Sequence, residues 1–176
     1  GVKGSYLGEA VVHFQGSKDE QVGKDGTLTG EGANPAQVTI YGVNGADDIK
    51  TYAGLTMSSD PEKYSAVASG DYRAFYQDMS KSPYGSKGGS LSYRVANLDG
   101  SLKLPTEGGE INKKYPDQGA YKTEIFFHRT NNNGYAGDPV STGCPVVDGN
   151  TKSINNWKSV EKQLGKSSNI LLRITR

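Results

Sequence analysis

A chain of 176 residues is long enough to bury a hydrophobic core and short enough for one domain, so we expect a single domain over residues 1–176. The net charge is +1, which argues against a nucleic-acid-binding surface and against a polybasic membrane patch. No apolar run approaches the ~18 residues of a membrane-spanning helix, so we expect no membrane span.

The composition indicates a turn-rich β protein of exported type. Glycine accounts for 24 residues, roughly twice the usual share of about 7%, and there are 11 tyrosines. Short β-like runs are separated by Gly, Pro, Asn and Asp, and they predict strands at 10–14, 37–41, 49–57, 72–76, 90–95, 122–127 and 169–175. The sequence therefore predicts a mainly β fold, either a β barrel or a β sandwich.

One helix is predicted in the C-terminal region, over residues 153–164. Ser153 can serve as its N-cap and Gly165 as its C-terminal stop. Four apolar residues spaced three or four apart form one stripe on it: Ile154, Trp157, Val160 and Leu164. We expect this stripe to pack across the sheet and to bury Trp157. A weaker helix is predicted at 74–80.

The most informative residues are one cysteine and one histidine. Cys144 is the only cysteine of the chain, so it cannot form an internal disulfide. His128 ends a hydrophobic run 16 positions earlier, and an Asn/Gly/Asp/Pro-rich stretch that is typical of a loop connects the two. Because an imidazole can take the proton of a thiol, the two residues together predict a nucleophilic cysteine with a lowered thiol pKa. The alternative for Cys144 is a small buried hydrophobic residue.

The segment from His128 to Ser141, Gly143 and Cys144 resembles the signature of the L,D-transpeptidase catalytic domain, the YkuD-like family. That signature is a histidine, a gap of about a dozen or more residues, and then Ser/Thr-His-Gly-Cys. Thr142 stands where the family usually has the second histidine. The predicted order of strand, loop, cysteine, helix and last strand also matches the family, which extends the resemblance over residues 125–176.

The resemblance implies a chemistry for this segment. The Cys144 thiolate would attack the carbonyl between the third and fourth residues of a peptidoglycan stem peptide, and His128 would take the thiol proton. The backbone carbonyl of Arg129 would orient the imidazole, and the Asp138 side chain is the alternative.

The turn before the cysteine has its own implied roles. The backbone at Gly143 would help to hold the oxyanion, and Thr142 and Ser141 would shape the turn. A flap that covers the cleft would lie at 76–89 or at 105–120.

Substrate-binding residues are not identified by the sequence. Tyr115, Tyr121 and Tyr135 are candidates for lining a cleft, and Arg129 and Arg173 are candidates for a substrate carboxylate, although a solvated or paired arginine is the commoner case. His13, the other histidine, lies in an apolar strand-like run and is more simply a strand residue. We expect no metal site, because there is no further cluster of Cys and His, and no cofactor.

The predicted function is therefore a cysteine-dependent L,D-transpeptidase or L,D-carboxypeptidase of the bacterial cell envelope. Its partners would be peptidoglycan stem peptides, and the protein would act as a monomer in the periplasm or outside the cell. Since the chain begins with Gly1 rather than Met, we expect that any signal peptide has been removed or lies outside this sequence.

One alternative stays open, and two other classes of cysteine enzyme do not fit the spacing or the order of the residues. A catalytically inactive cell-wall-binding module could retain the scaffold, and Thr142 in place of the second histidine favours it. A sortase would use Arg173 on a late strand, although its histidine lies much further upstream. Papain-like and NlpC-like peptidases place the cysteine before the histidine, which is the reverse of the order here.

Overall fold

The computed structural model describes residues 8–58, 60–77, 91–130, 143–148 and 155–176. This part of the chain contains ten strands and one α-helix, α1 (Asn155–Leu164). The strands are β1 (Ala10–Gln15), β2 (Ala36–Tyr41), β3 (Ile49–Leu55), β4 (Gly70–Tyr76), β5 (Leu91–Asn97), β6 (Leu104–Pro105), β7 (Tyr121–Lys122), β8 (Phe126–Arg129), β9 (Val146–Val147) and β10 (Ile170–Thr175).

Eight of these strands close into a barrel in the order β1-β10-β4-β5-β8-β9-β3-β2. Most neighbours are antiparallel, but β1 pairs with β10 and β8 pairs with β9 in parallel. The remaining two strands, β6 and β7, form a small antiparallel sheet of their own. The prediction of a mainly β fold with one helix is thus confirmed, and of the two predicted architectures, barrel and sandwich, the described strands form the barrel.

The core is built from strand residues that point inward and from one aromatic cluster. In β2, buried residues alternate with more exposed ones, as expected for a strand with a single buried face. Phe127 lies at the centre of the cluster, with its ring centroid 5.7 Å from Phe14, 6.1 Å from Tyr93 and 5.4 Å from Trp157. Trp157, Val160 and Leu164 are at most 1% exposed, which confirms the predicted burial for these three residues of the helix stripe, and Ile154 lies outside the described residues.

Helix α1 ends where the sequence predicts. Gly165 adopts a left-handed conformation with φ 57°, and its N–H donates to the Glu161 carbonyl at 2.7 Å, which closes the last turn. The predicted N-cap, Ser153, lies outside the described residues. The weaker helix prediction at 74–80 is wrong for its described part, because strand β4 continues to Tyr76 and pairs with both β5 and β10.

Six of the seven predicted strand runs correspond to single strands, with ends that differ by up to two residues. The run at 122–127 was predicted as one strand but forms parts of two, β7 and β8. Glu124 separates them with a φ of 57°, a left-handed conformation that no continuous strand can contain. The two-residue strands β6 and β9 were not predicted. Of the helices that the described residues form, none has the length and hydrophobicity to cross a membrane.

Candidate active site

The barrel places His128 in β8 and Cys144 two residues before the neighbouring strand β9. His128 belongs to β8, where it is paired in register with Val146 of the parallel strand β9. Its backbone N–H faces the Pro145 carbonyl at 3.5 Å, so Cys144 lies one residue before this contact. Both side chains border one cavity of about 520 Å³. This volume is within the range of small-ligand sites, about 300–1,000 Å³.

The imidazole of His128 is held by its own strand. Its Nδ1 lies 2.7 Å from the backbone carbonyl oxygen of Arg129. Because a carbonyl can only accept, Nδ1 carries the proton and Nε2 of the neutral ring is left as a base. This is the hydrogen bond that the family resemblance implied.

The ring is also kept uncharged. Burial lowers the pKa of His128 to about 4, and the positive charge of Arg129 acts in the same direction. The hydrogen bond to the Arg129 carbonyl opposes this shift but is outweighed. At neutral pH His128 is therefore a neutral imidazole that can accept a proton.

Cys144 differs from the expectation based on the sequence. We expected the histidine to lower the pKa of the thiol, but burial raises it, and the residue is 9% exposed. A hydrogen bond from the Phe126 backbone and the positive charge of Lys122 both act to lower the pKa and only partly offset the burial. The expectation omitted the cost of placing a thiolate in a buried site. The resting pair is thus a thiol and a neutral imidazole.

Gly143 is required by the geometry of the turn before Cys144. Its φ is 109°, a conformation that residues with a Cβ rarely adopt. A Cβ at this position would lie 2.5 Å from the Ser65 carbonyl oxygen and 2.7 Å from the Lys122 Nζ. The chain passes so close to these two groups that only glycine fits.

One wall of the cavity comes from the segment 105–120, one of the two predicted flap positions. Asn112 organises this segment: its Oδ1 accepts from the backbone N–H groups of Lys114 and Tyr115, both at 3.1 Å. Its Nδ2 donates to the Tyr121 carbonyl at 3.0 Å. Asn112, Lys114, Tyr115 and Gln118 all border the cavity. Most of the other flap position, 76–89, lies outside the described residues.

The rim of the cavity combines aromatic and cationic groups. The ammonium group of Lys114 lies 5.2 Å from the ring centroid of Tyr64 and 5.4 Å from that of Tyr115. Distances below about 6 Å are those of cation–π contacts. Tyr115, one of the three tyrosine candidates, is therefore at the cavity, and Tyr64 was not anticipated.

Lys122 is a second residue that the sequence did not reveal. It is 7% exposed, borders the cavity, and its Nζ donates to the Ser65 carbonyl at 2.6 Å. Because lysines are rarely buried, nothing in the sequence indicates that Lys122 is. Only the fold brings Ser65 and Gly143 to its ammonium group.

The remaining candidates lie elsewhere. Arg173 forms a two-point ion pair with Asp71 of β4, at 2.7 and 2.9 Å, and its strand β10 is separated from β8 by two strands. A ring nitrogen of His13 lies 3.2 Å from the Thr175 hydroxyl. The Tyr121 ring is covered by Lys103 at 4.9 Å. Four further candidates, Tyr135, Asp138, Ser141 and Thr142, lie outside the described residues.

Arg129 affects the pKa of His128 more through its backbone carbonyl than through its positive charge. The residue is 6% exposed. Burial lowers the pKa of its guanidinium, and the Glu161 carboxylate of α1 partly offsets this shift.

The described residues contain no group of three or more His, Cys, Asp or Glu side chains that could bind a metal ion. Comparison of the chain with protein-family models, curated proteins and solved structures finds no match.

Proposed function

We propose that this protein is an L,D-transpeptidase or L,D-carboxypeptidase that forms an acyl-enzyme on Cys144, on an L,D-transpeptidase-like scaffold. The observation that carries the proposal is the pair at β8 and β9. His128 and Cys144 border one cavity, and the Arg129 carbonyl holds the imidazole with Nε2 as its free base. A nucleophile, a base and a group that orients the base are the parts that covalent acyl transfer needs.

The first half of the reaction transfers an acyl group to the protein. The Cys144 sulfur attacks the carbonyl carbon between the third and fourth residues of a donor stem peptide while His128 Nε2 takes the thiol proton. The C–N bond then breaks, and the protonated imidazole returns the proton to the departing amine of the fourth residue. The stem, shortened to three residues, is left as a thioester on Cys144.

The second half releases the thioester. An acceptor amine that attacks the thioester gives a cross-link, and water gives a trimmed stem with a new carboxylate. In both cases neutral His128 again takes the proton of the nucleophile, and the thiol is restored. Backbone N–H groups at Gly143 and Cys144 are the donors that we assign to the oxyanion, each worth about 3–4 kcal/mol in comparable sites.

Burial disfavours both charged forms of the pair, the thiolate and the imidazolium, so the resting site holds a thiol and a neutral imidazole. We therefore place the proton transfer within the attack itself, when the developing negative charge passes to the substrate oxygen. The substrate class fits a wall-facing protein of the periplasm or cell exterior, and it requires no metal or cofactor. Tyr115 and Lys114 on the cavity rim are the side chains that we assign to stem-peptide binding.

The test is incubation of the protein with muropeptides that carry four-residue stems, followed by mass spectrometry of the products. We expect loss of the fourth residue, or cross-linked dimers, with wild-type protein, and no product with Cys144→Ser. His13→Gln is the matched control, because it changes the other histidine, and it should retain activity. Unchanged muropeptides with folded wild-type protein would reject the proposal.

A non-catalytic cell-wall-binding module is the second candidate. Burial of Cys144, which raises its thiol pKa, and Thr142 in place of the second histidine both favour it. Such a module would sediment with insoluble peptidoglycan and yield no muropeptide products, and Cys144→Ser would leave the bound fraction unchanged. The transpeptidase proposal predicts products that depend on Cys144.

A further inference from the structure

We propose that Lys122 is a positioning residue that acts through Cys144: its buried ammonium group stabilises the thiolate that forms when the nucleophile loses its proton. The inference rests on the proposed function in taking Cys144 as the nucleophile. It adds a third side chain to the pair that the sequence indicates.

The position of Lys122 beside the turn before Cys144 is fixed by its strand pairing and by a hydrogen bond of its ammonium group. Strand β7 ends at Lys122 and is paired with β6 through Leu104 and Lys122. The ammonium group donates to the Ser65 carbonyl at 2.6 Å, and it lies 2.7 Å from where a Cβ of Gly143 would stand. It therefore packs directly on the backbone of the residue that precedes Cys144.

A charge in this position acts strongly on its neighbours. Lys122 is 7% exposed, so its field is little screened by solvent, and burial lowers its own pKa. The negative charge of a Cys144 thiolate raises the pKa of Lys122, and the ammonium lowers the pKa of the thiol. The coupling is reciprocal, as it must be for two interacting titrating groups.

The other charged and titratable groups near this pair do not replace Lys122. His128 is neutral above pH about 4, so it brings no positive charge to a resting thiol at neutral pH. Lys114 lowers the pKa of Lys122, and its own charge lies over the rings of Tyr64 and Tyr115. The carboxylates of Glu110, which raises the pKa of Lys122, and Glu124, which borders the cavity, are negative and cannot favour a thiolate.

The roles of the two basic residues are thereby divided. His128 accepts the proton, and Lys122 supplies the positive charge that the neutral imidazole lacks. Loss of Lys122 should raise the pH at which Cys144 becomes reactive, whereas loss of His128 should remove the proton acceptor for acyl transfer.

The experiment measures the rate of Cys144 alkylation by iodoacetamide as a function of pH, for which the single cysteine gives an unambiguous signal. For Lys122→Met, which removes the charge and keeps most of the side-chain volume, we expect the profile to move upward by at least about one pH unit. Lys122→Arg should restore much of the wild-type profile. Lys158→Met removes an exposed lysine of α1 and should leave the profile unchanged.

A profile for folded Lys122→Met that coincides with wild type overturns the inference, as does a shift of equal size in Lys158→Met. Alkylation needs no peptide substrate, so this result is independent of whether muropeptides are processed. Failure of the muropeptide assay with a shifted alkylation profile rejects the proposed function and leaves the role of Lys122 intact.

A second measurement keeps the inference testable if Lys122→Met does not fold. The titration of Lys122 is followed by NMR of labelled lysine side chains in wild-type protein and in Cys144→Ser. Without a thiolate, the ammonium should lose its proton at a lower pH than in wild type. Equal titration midpoints in the two proteins would contradict the coupling.

Discussion

The barrel contains two parallel strand pairs, which differ in length and in the residues that they carry. The β1/β10 pair has six residue pairs, from Ala10 and Ile170 to Gln15 and Thr175, and joins elements from the two ends of the described chain. The β8/β9 pair has only two, His128 with Val146 and Arg129 with Val147. The long junction, β1/β10, consists mainly of buried apolar residues, and its own imidazole, that of His13, lies 3.2 Å from the Thr175 hydroxyl. The short junction, β8/β9, carries an imidazole that borders the cavity, and it leads to a thiol.

Closure of the barrel and the candidate chemistry therefore depend on different residues. The long junction supplies hydrophobic burial, which is the main stabilising term in folding. The short junction leaves polar groups at the end of a cavity, which costs stability unless each group has a partner. Mutations at the two junctions should therefore affect different measurable quantities.

The largest expected effect is on activity, from changes at the short junction. Cys144→Ser or His128→Ala should lower the rate of muropeptide processing by about 10³-fold or more, because each removes a member of a unit that acts together. The melting temperatures of both variants should stay within a few degrees of wild type. Equal loss of activity and of folded structure would mean that the two junctions are not separable.

A matched pair of core substitutions gives the next effect. Val12→Ala in β1 and Val147→Ala in β9 both truncate fully buried valines, and each should lower the free energy of unfolding by about 1–3 kcal/mol. Only Val147→Ala should also change the rate of Cys144 alkylation, since its strand positions the turn. Chemical denaturation and alkylation kinetics check the two halves of this prediction.

The third prediction concerns the pH dependence of His128. Its pKa is lowered from 6.5 to about 4 in the folded protein, so the unfolded chain binds more protons between these values. The contribution of this residue to stability should therefore decrease as the pH falls from 6.5 to 4, and His128→Gln should abolish that part of the slope. NMR titration of the two histidine rings measures the pKa directly, and a His128 midpoint near 6.5 would contradict the burial argument.

The smallest effect is expected at the surface of the long junction. Arg173 and Asp71 pair across β10 and β4, but their side chains are 28% and 35% exposed. Pairs of this kind are worth about 0–1 kcal/mol, so Arg173→Gln should change stability by no more than that. Its muropeptide activity should equal that of wild type. A loss of activity would instead favour a sortase-like role for the arginine.

Much of the barrel could be predicted from the sequence, because its longer strands carry their own signal. Runs such as Ala10–Gln15 and Ile170–Thr175 are apolar, β-branched and bounded by turn residues. Strand β9 could not be predicted, since Val146 and Val147 become a strand only by lying between β8 and β3. Short strands of this kind depend on their neighbours rather than on local preference.

The candidate site divides in the same way. His128 and Cys144 could be selected because they are close in sequence and have complementary chemistry. Lys122 could not, since its partner carbonyl at Ser65 is 57 positions away. The raised pKa of the thiol was missed for a related reason: burial is a property of the closed barrel, and no residue pattern near Cys144 reveals it.

The most direct test of the account is detection of the acyl-enzyme on Cys144. Wild-type protein is mixed with a four-residue donor stem, quenched in acid, and its intact mass and proteolytic peptides are measured by mass spectrometry. The account predicts a mass increase equal to the donor without its fourth residue, located on the peptide that contains Cys144, together with release of the fourth amino acid. Folded protein with unmodified Cys144 and intact donor at every quench time would contradict it.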